Sequence, residues 1–242
     1  MRWHPDTDLF QGLRSIIDFR LGVRDEYERR IAMGATVLDI GGRNQGSRSA
    51  RRLRELAGER VGKITCTDII DEYQPDLVDD ISKSKIPDAS FDAIYCDAIL
   101  EHVKDYWTAV DHIRRILKPG GEVFICVPFC WSFHDRMDYH RFTFTEVARL
   151  VEGYSERRLF VCDGLGYGGV LSLMLTFFQF THFPRLWSLV SRTINLGLLG
   201  PLWVWYRLER ARGRWPGVSW SDYKYYCLHL YMAHSYCVWA KK

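Results

Sequence analysis

The sequence predicts a doubly wound α/β fold: a mostly parallel, seven-stranded sheet with helices on both faces and an apolar helical insertion before the last strand. Three observations predict it. Short apolar runs alternate with longer segments of helical period, a glycine turn follows the first such run, and acidic residues stand where several of the runs end. With 242 residues, 47% of them hydrophobic, the chain has enough apolar material for one core. It is read as a single domain over 1–242, with a helical lead-in at 1–34 and the insertion at 164–233. Basic and acidic residues number 33 and 30, a net charge of +3, which is too balanced to imply a nucleic-acid partner.

The elements follow in order. A charged helical lead-in, "LRSIIDFRLGVRDEYERRIAMG", precedes the first strand, "TVLDI" at 36–40. Further strands are expected at 63–69, 76–81, 91–98, 121–129, 157–163 and 234–242. Helices are expected at 47–58, 106–117 and 143–152. The last of these opens on "TFTE", a capping box with Thr143 as its N-cap. "LKPGGEV" at 117–123 reads as a helix stop and a turn feeding a strand.

Residues 164–206 break the rhythm. The run "GLGYGGVLSLMLTFFQFTHFP" carries no Asp, Glu, Lys or Arg, and its glycines restrict the plausible helix to 170–183. That length favours packing on the core or on a second copy of the chain, as in a homodimer, over a membrane span. With the basic "RLERARGR" that follows, 170–214 also suits association with a membrane surface. The seven cysteines form no C-x-x-C pair and mostly lie in apolar runs, so they read as reduced core residues. The N-terminus lacks the apolar stretch of a secretory signal. A cytoplasmic protein, or one peripheral to the membrane, is the expectation.

In an open parallel sheet, ligands bind beyond the carboxyl ends of the strands. The turn "DIGGRNQGS" lies at such an end, yet it lacks the G-x-G-x-x-G spacing of a dinucleotide turn, and Asp39 stands just before its glycines. A carboxylate there repels a pyrophosphate and suits an ammonium group, while the glycines let the backbone come close to the rest of the ligand. An amino-acid-bearing nucleoside meets both demands. Asp68 ends the second strand, where a carboxylate can take two hydrogen bonds from a ribose diol. Asp80 with Ile81 suits an adenine, the acid taking the exocyclic amine and a backbone N–H a ring nitrogen.

In order and spacing, "VLDIGG", "TDI", "VDDI", "IPDASFDAIYCDAILEHV" and "ILKPGGEVFICVP" resemble the class I S-adenosylmethionine-dependent methyltransferases over residues 35–163, with a last strand at 234–242. The resemblance implies a Rossmann-like methyltransferase fold and S-adenosylmethionine as cofactor. It implies that Asp39, Gly41 and Gly42 line the methionine moiety, Asp68 and Ile69 the ribose, Asp80 and Ile81 the adenine, and Asp97 the far wall. His102 in "LEHV" would support the same pocket. The chain departs from the family at Arg43 and Asn44, where a further glycine is usual. Arg43 either pairs with the cofactor's carboxylate or points to solvent.

The segment after the fifth strand, "PFCWSFHDRMDYHRFTFTE", concentrates polar groups between His134 and Arg141. It resembles methyltransferases of bacterial glycan and sugar biosynthesis, which implies a small-molecule or glycan acceptor. Methyl transfer to a hydroxyl is an in-line displacement that needs a base, and an imidazole titrates near neutral pH. His134 is the first candidate, with Asp135 fixing its tautomer; Asp138 and Asp135 are competing bases. His140 is a further candidate, with the alternative that His140 and Arg141 only position the following helix. No metal is assigned. Oxygen is favoured over nitrogen as acceptor atom because no "NPPY"-like motif follows the fourth strand. The alternatives are a methyltransferase of an apolar natural product or lipid, and a non-catalytic cofactor-binding partner subunit.

Overall fold

The computed structural model describes residues 12–162, 184–231 and 233–242. Among them are seven strands: β1 (Thr36–Ile40), β2 (Lys63–Asp68), β3 (Leu77–Val78), β4 (Phe91–Asp97), β5 (Leu117–Pro128), β6 (Glu156–Val161) and β7 (Ser235–Lys241). They form one sheet in the order β3-β2-β1-β4-β5-β7-β6. β1 pairs in parallel with β2 and β4, β2 with β3, and β4 with β5, whereas β7 runs antiparallel to β5 and β6. The order reverses between β1 and β4, and the crevice there is where such sheets take ligands.

Alternation along β1 sends Val37 and Asp39 to one face and Leu38 and Ile40 to the other. The first face is covered by α1 (Arg24–Ala32) and α2 (Arg48–Ala57), whose Tyr27, Ile31, Ala50 and Leu53 pack with Val37, Tyr95, Phe124 and Trp239. The second is covered by α3 (Tyr106–Ile116) and α4 (Phe144–Leu150), with Val110, Ile113 and Val147 against Leu38, Ile94 and Ile125. Thr143 caps α4 as the sequence predicts, accepting from the Glu146 N–H at 3.3 Å.

Three boundaries differ from expectation. The strand predicted over 76–81 pairs only at Leu77–Val78, because Asp79 and Asp80 turn their carboxylates onto the Lys85 and Ser82 N–H groups and bend the chain. "LKPGG" is part of β5 rather than a free turn: Leu117 pairs with Phe91, the register shifts between Phe91 and Ala93, and Gly120 takes a φ of +74°. β6 ends at Val161, and Asp163 lies outside the described residues.

The helix expected over 170–183 also lies outside them. Within the insertion, α5 (Pro184–Ala211) carries the basic run to its end, and α6 (Trp220–Tyr225) leads into a π-helical turn at Tyr226–Leu230. Tyr206, Trp215, Tyr223 and Tyr226 are buried against the second face, while Leu189, Leu196, Trp203 and Trp205 of α5 are exposed. Among the described residues no helix is long and apolar enough to cross a membrane.

α1 is tied to the sheet by charge as well as by packing. Glu28, fully buried, accepts from Arg24 Nε at 2.7 Å, from Arg52 Nε at 2.7 Å and from the Tyr95 hydroxyl at 2.7 Å. A buried carboxylate persists only with such partners. The network fixes Arg24 over the ends of β4 and β6.

Candidate active site: a cleft at the sheet's switch point

A cleft of about 1090 Å³ opens beyond β1 and β4 and is lined by Asp39, Gly41, Gly42, Arg43, Ser49 and Asp97, with Arg24, Tyr95 and Cys162 completing the wall. The turn that floors it has two glycines with distinct tasks. Gly41 has a φ of +69°, and a Cβ on it would stand 2.1 Å from Ile99 Cδ1. Gly42 lies over the Asp39 carboxylate. Arg43 is itself left-handed, with a φ of 54°, and its guanidinium stacks 4.7 Å from the centre of the Tyr73 ring. Neither expectation for Arg43 included that aromatic partner.

Asp39 is buried, with 1% exposure, and accepts from the Ser49 hydroxyl at 2.6 Å. Burial pushes its carboxyl up to about 7; the Ser49 bond opposes this and the Asp97 charge adds to it. An arriving ammonium group would relieve that shift, so the donor set fits the amino-acid end of S-adenosylmethionine. Asp97 forms the opposite wall, accepting from Arg24 Nη2 at 2.6 Å and from the Tyr95 hydroxyl at 3.1 Å.

Asp68, Ile69, Asp80 and Ile81 are not among the residues lining this cleft. Asp68 ends β2 and accepts from the Ile70 N–H at 3.0 Å; Ile69 is exposed. Asp80 caps the short turn at Ile81–Lys83, taking the Ser82 N–H at 2.9 Å and the Ser82 hydroxyl at 2.7 Å, and Ile81 is buried.

The polar segment after β5 is organised around Asp138. Arg141 grips its carboxylate with two nitrogens, Nη2 at 2.7 Å, and also donates to the Trp131 and Ser132 carbonyls. Those bonds to Arg141 hold the Asp138 carboxyl down at about 2, despite a smaller opposing effect of burial. A base that weak is a poor proton acceptor, which counts against Asp138 in that role. The contact expected from Asp135 comes instead from Asp138, whose Oδ2 stands 3.2 Å from His134 Nδ1; Asp135 turns back to the Met137 N–H at 3.2 Å. The spacing explains this: four residues bring Asp138 round to His134, whereas an adjacent acid faces away and closes a local turn.

The Ser132 carbonyl also faces His134 Nδ1 at 3.2 Å. With two acceptors on that side, Nδ1 carries the proton and Nε2 is left with the lone pair. His140 turns its Nε2 to the Lys104 carbonyl at 3.1 Å and its ring to Tyr106, at the start of α3 rather than on the helix that follows it.

His102 donates through Nδ1 to the Met137 carbonyl, 3.0 Å away, and its ring stands 5.1 Å from that of His134. Close to both lies Glu101, which the sequence reading passed over. It is buried, its Oε2 has no hydrogen-bond partner among the described residues, and burial pushes it up to about 7, with the Asp97 and Asp138 charges adding to the shift. Donor atoms of Glu101, His102 and His134 lie within 4.8 Å of one another, a carboxylate and two imidazoles of the kind that hold a divalent cation. Arg24 was also passed over, because its reach to the cleft depends on how α1 packs and has no local signal.

Comparison with known proteins agrees with this architecture. Residues 44–125 match the family described as a methyltransferase domain. A S-adenosylmethionine-dependent methyltransferase from Archaeoglobus fulgidus superposes with a TM-score of 0.50 at 17% identity, covering 98% of this chain and 95% of that one, which shows the fold. Ubiquinone biosynthesis O-methyltransferases from Idiomarina loihiensis and Hahella chejuensis are 28% and 27% identical over 50% and 51% of this chain. The chain spans about half their length, 53% and 55%. Sheet order, glycine turn and the match over 44–125 give the chain the Rossmann-like fold of S-adenosylmethionine-dependent methyltransferases.

Proposed function

We propose that the protein transfers a methyl group from S-adenosylmethionine to a hydroxyl oxygen of a small-molecule or glycan acceptor. The observation that carries this reading is the buried Asp39 carboxylate under a double-glycine turn, an arrangement that suits an ammonium-bearing nucleoside and no phosphate. Asp39 meets the ammonium group, the Gly41 and Gly42 backbone passes beside the methionine chain, and exposed Arg43, Arg48 and Arg51 on the rim suit its carboxylate. Asp68, at the end of β2, and Asp80, in the turn after β3, are assigned to ribose and adenine. The cofactor supplies an electrophilic methyl on a sulfonium. The chain's task is to align an oxygen in line with it and to take the oxygen's proton.

His134 takes that proton at Nε2, with Asp138 and the Ser132 carbonyl holding its tautomer. The names of the relatives favour oxygen as the acceptor atom. For the body of the acceptor, a sugar or glycan rests on the polar run from His134 to Arg141, where Asp135, Arg136 and Tyr139 remain exposed. An apolar or lipid-like acceptor is the second reading. Two observations favour it: Asp138, Arg141 and His140 spend their hydrogen bonds inside the protein, and α5 exposes Leu196, Trp203 and Trp205.

The test is turnover of labelled S-adenosylmethionine with hydroxylated aromatic lipids and with glycosides in parallel. Methyl ether formation on either supports transfer to oxygen and chooses between the acceptors. Tight binding of S-adenosylhomocysteine with no transfer to any hydroxyl would favour the partner-subunit alternative.

A further inference from the structure

Three cysteines stand together apart from the groups used above. Cys126 of β5 and Cys237 of β7 are register partners, and Cys162 follows the end of β6, its N–H donating to the Ser235 carbonyl at 2.9 Å. Cys237 also pairs with Phe160, two residues before Cys162, so strand alternation sends all three side chains to the face that α1 covers. Their sulfurs lie within 4.8 Å of one another. Cys126 and Cys237 are buried, whereas Cys162 is half-buried and lines the cleft.

α1 brings a cation to this cluster. Arg24 Nη1 donates to Cys162 Sγ at 2.6 Å and stands 3.7 Å from Cys126 Sγ, while Nη2 holds Asp97. Three sulfurs are a donor set for a soft metal ion, but a second cation would have to share the space with that guanidinium. A guanidinium beside a thiol instead favours the thiolate. Hydrogen bonds from Cys126 and Cys237, together with the Arg24 charge, hold the Cys162 thiol well below its ordinary range. Donating to Cys162 pushes the Cys126 thiol well up, and burial does the same for Cys237. Of the three, Cys162 is the sulfur that the Arg24 guanidinium and the other two thiols dispose toward the thiolate form.

We propose that Cys162 is a site of reversible oxidation on the cofactor cleft, taking oxygen from a hydroperoxide and closing a disulfide with Cys237. The Cys162 thiolate attacks the terminal peroxide oxygen; the S–O bond forms as the O–O bond breaks, and the alkoxide leaves and takes a proton from water. Cys162 is oxidised to a sulfenic acid and the peroxide is reduced to an alcohol or, for hydrogen peroxide, to water. The Cys237 sulfur then bonds to the sulfenic sulfur, and the hydroxide leaves with the Cys237 proton as a second product, water. Cys237 rather than Cys126 resolves the intermediate because it lies one strand from Cys162 and Cys126 lies two. The disulfide removes an anion from Arg24, the residue that also holds Asp97 at the cleft wall.

Reduced protein is treated with one equivalent of hydrogen peroxide and read by intact mass and peptide mapping. The expected result is the loss of two hydrogens, a linked Cys162–Cys237 peptide, and full recovery with dithiothreitol. Cys237→Ser is expected to stop at a Cys162 sulfenic acid that dimedone traps. Oxidation falling first on half-buried Cys130 or Cys227, or a Cys162 that survives excess peroxide unchanged, overturns the proposal in the unaltered protein. One equivalent of zinc retained by the reduced protein and lost in Cys162→Ser overturns it too, by assigning the cluster to a metal.

Discussion

Gly42 lies against the Asp39 carboxylate so closely that a Cβ there would stand 2.2 Å from Oδ2 and 2.3 Å from Cγ. The contact is with a buried side chain that has no room to retreat, so Gly42→Ala must displace Asp39 or the turn. We expect a loss of about 1–3 kcal/mol in stability, as for other overpacked sites, together with loss of S-adenosylhomocysteine binding. Gly46→Ala is the control, because its Cβ would meet only the Asn44 side chain, at 3.3 Å. Thermal melts showing equal shifts for the two variants would remove the special role of Gly42.

Asp39 sets a pH dependence. Its folded-state value of about 7 lies above the ordinary 3.8, so the native protein keeps a proton that the unfolded chain gives up across that range. Asp39 therefore lowers stability as pH rises from about 4 to 7. Binding an ammonium group requires the anion, so affinity for S-adenosylhomocysteine should fall below pH 7, approaching tenfold per pH unit. Titration calorimetry at pH 6 and 8 checks this, and Asp39→Asn should bind weakly with no such slope. An equal slope in the asparagine variant would locate the titrating group elsewhere.

How much of this was legible in the sequence differs by element. Val37, Leu38 and Ile40 announce a buried strand and Gly41 a turn, because both signals are local. The sheet order follows from the rhythm of strands and helices and from the family resemblance. Asp79 and Asp80 misled the reading of the third strand: short acids compete for backbone N–H groups, and the outcome depends on Ser82 and Lys85. Arg24 and Glu101 left no signal because their importance is tertiary. One reaches the cleft from a helix about seventy residues away from β4 in sequence, and the other matters through burial.

Asp68 ends β2, the strand next to β1, outside the residues that line the cleft, and it is assigned the ribose diol. Asp68→Ala should weaken S-adenosylmethionine binding by at least ~1 kcal/mol, about tenfold, since hydrogen bonds to charged groups contribute about 1.5–3 kcal/mol. Asp68 also holds the Ile70 N–H, so a melt must accompany the titration. Equal affinity in a folded variant would remove Asp68 from the ribose site.

The exposed apolar side chains of α5 continue into a basic end, where Arg207 stacks 5.5 Å from Trp203 and Arg212 and Arg214 share Glu209. If this helix rests on a bilayer, the protein should float with anionic vesicles at low salt and leave them as salt screens the charge. A protein that stays unbound under those conditions would leave packing on the chain itself, or on a second copy, as the role of the helix.

His134 has its Nδ1 engaged by Asp138 and Ser132, leaving Nε2 to accept a proton. His134→Ala should therefore keep S-adenosylmethionine affinity while lowering methyl transfer by about 10²–10⁴-fold. Asp135→Ala should stay close to the parent rate, because its carboxylate holds only the Met137 N–H. Asp138→Ala should fall between them and lose thermal stability, since it releases Arg141 from the Trp131–Ser132 loop as well as freeing the imidazole. Single-turnover rates with cofactor binding checked in each variant separate these cases. A fully active His134→Ala would end the assignment, and buried Glu101, whose Oε2 has no hydrogen-bond partner among the described residues, would then be the next base to test, through Glu101→Gln.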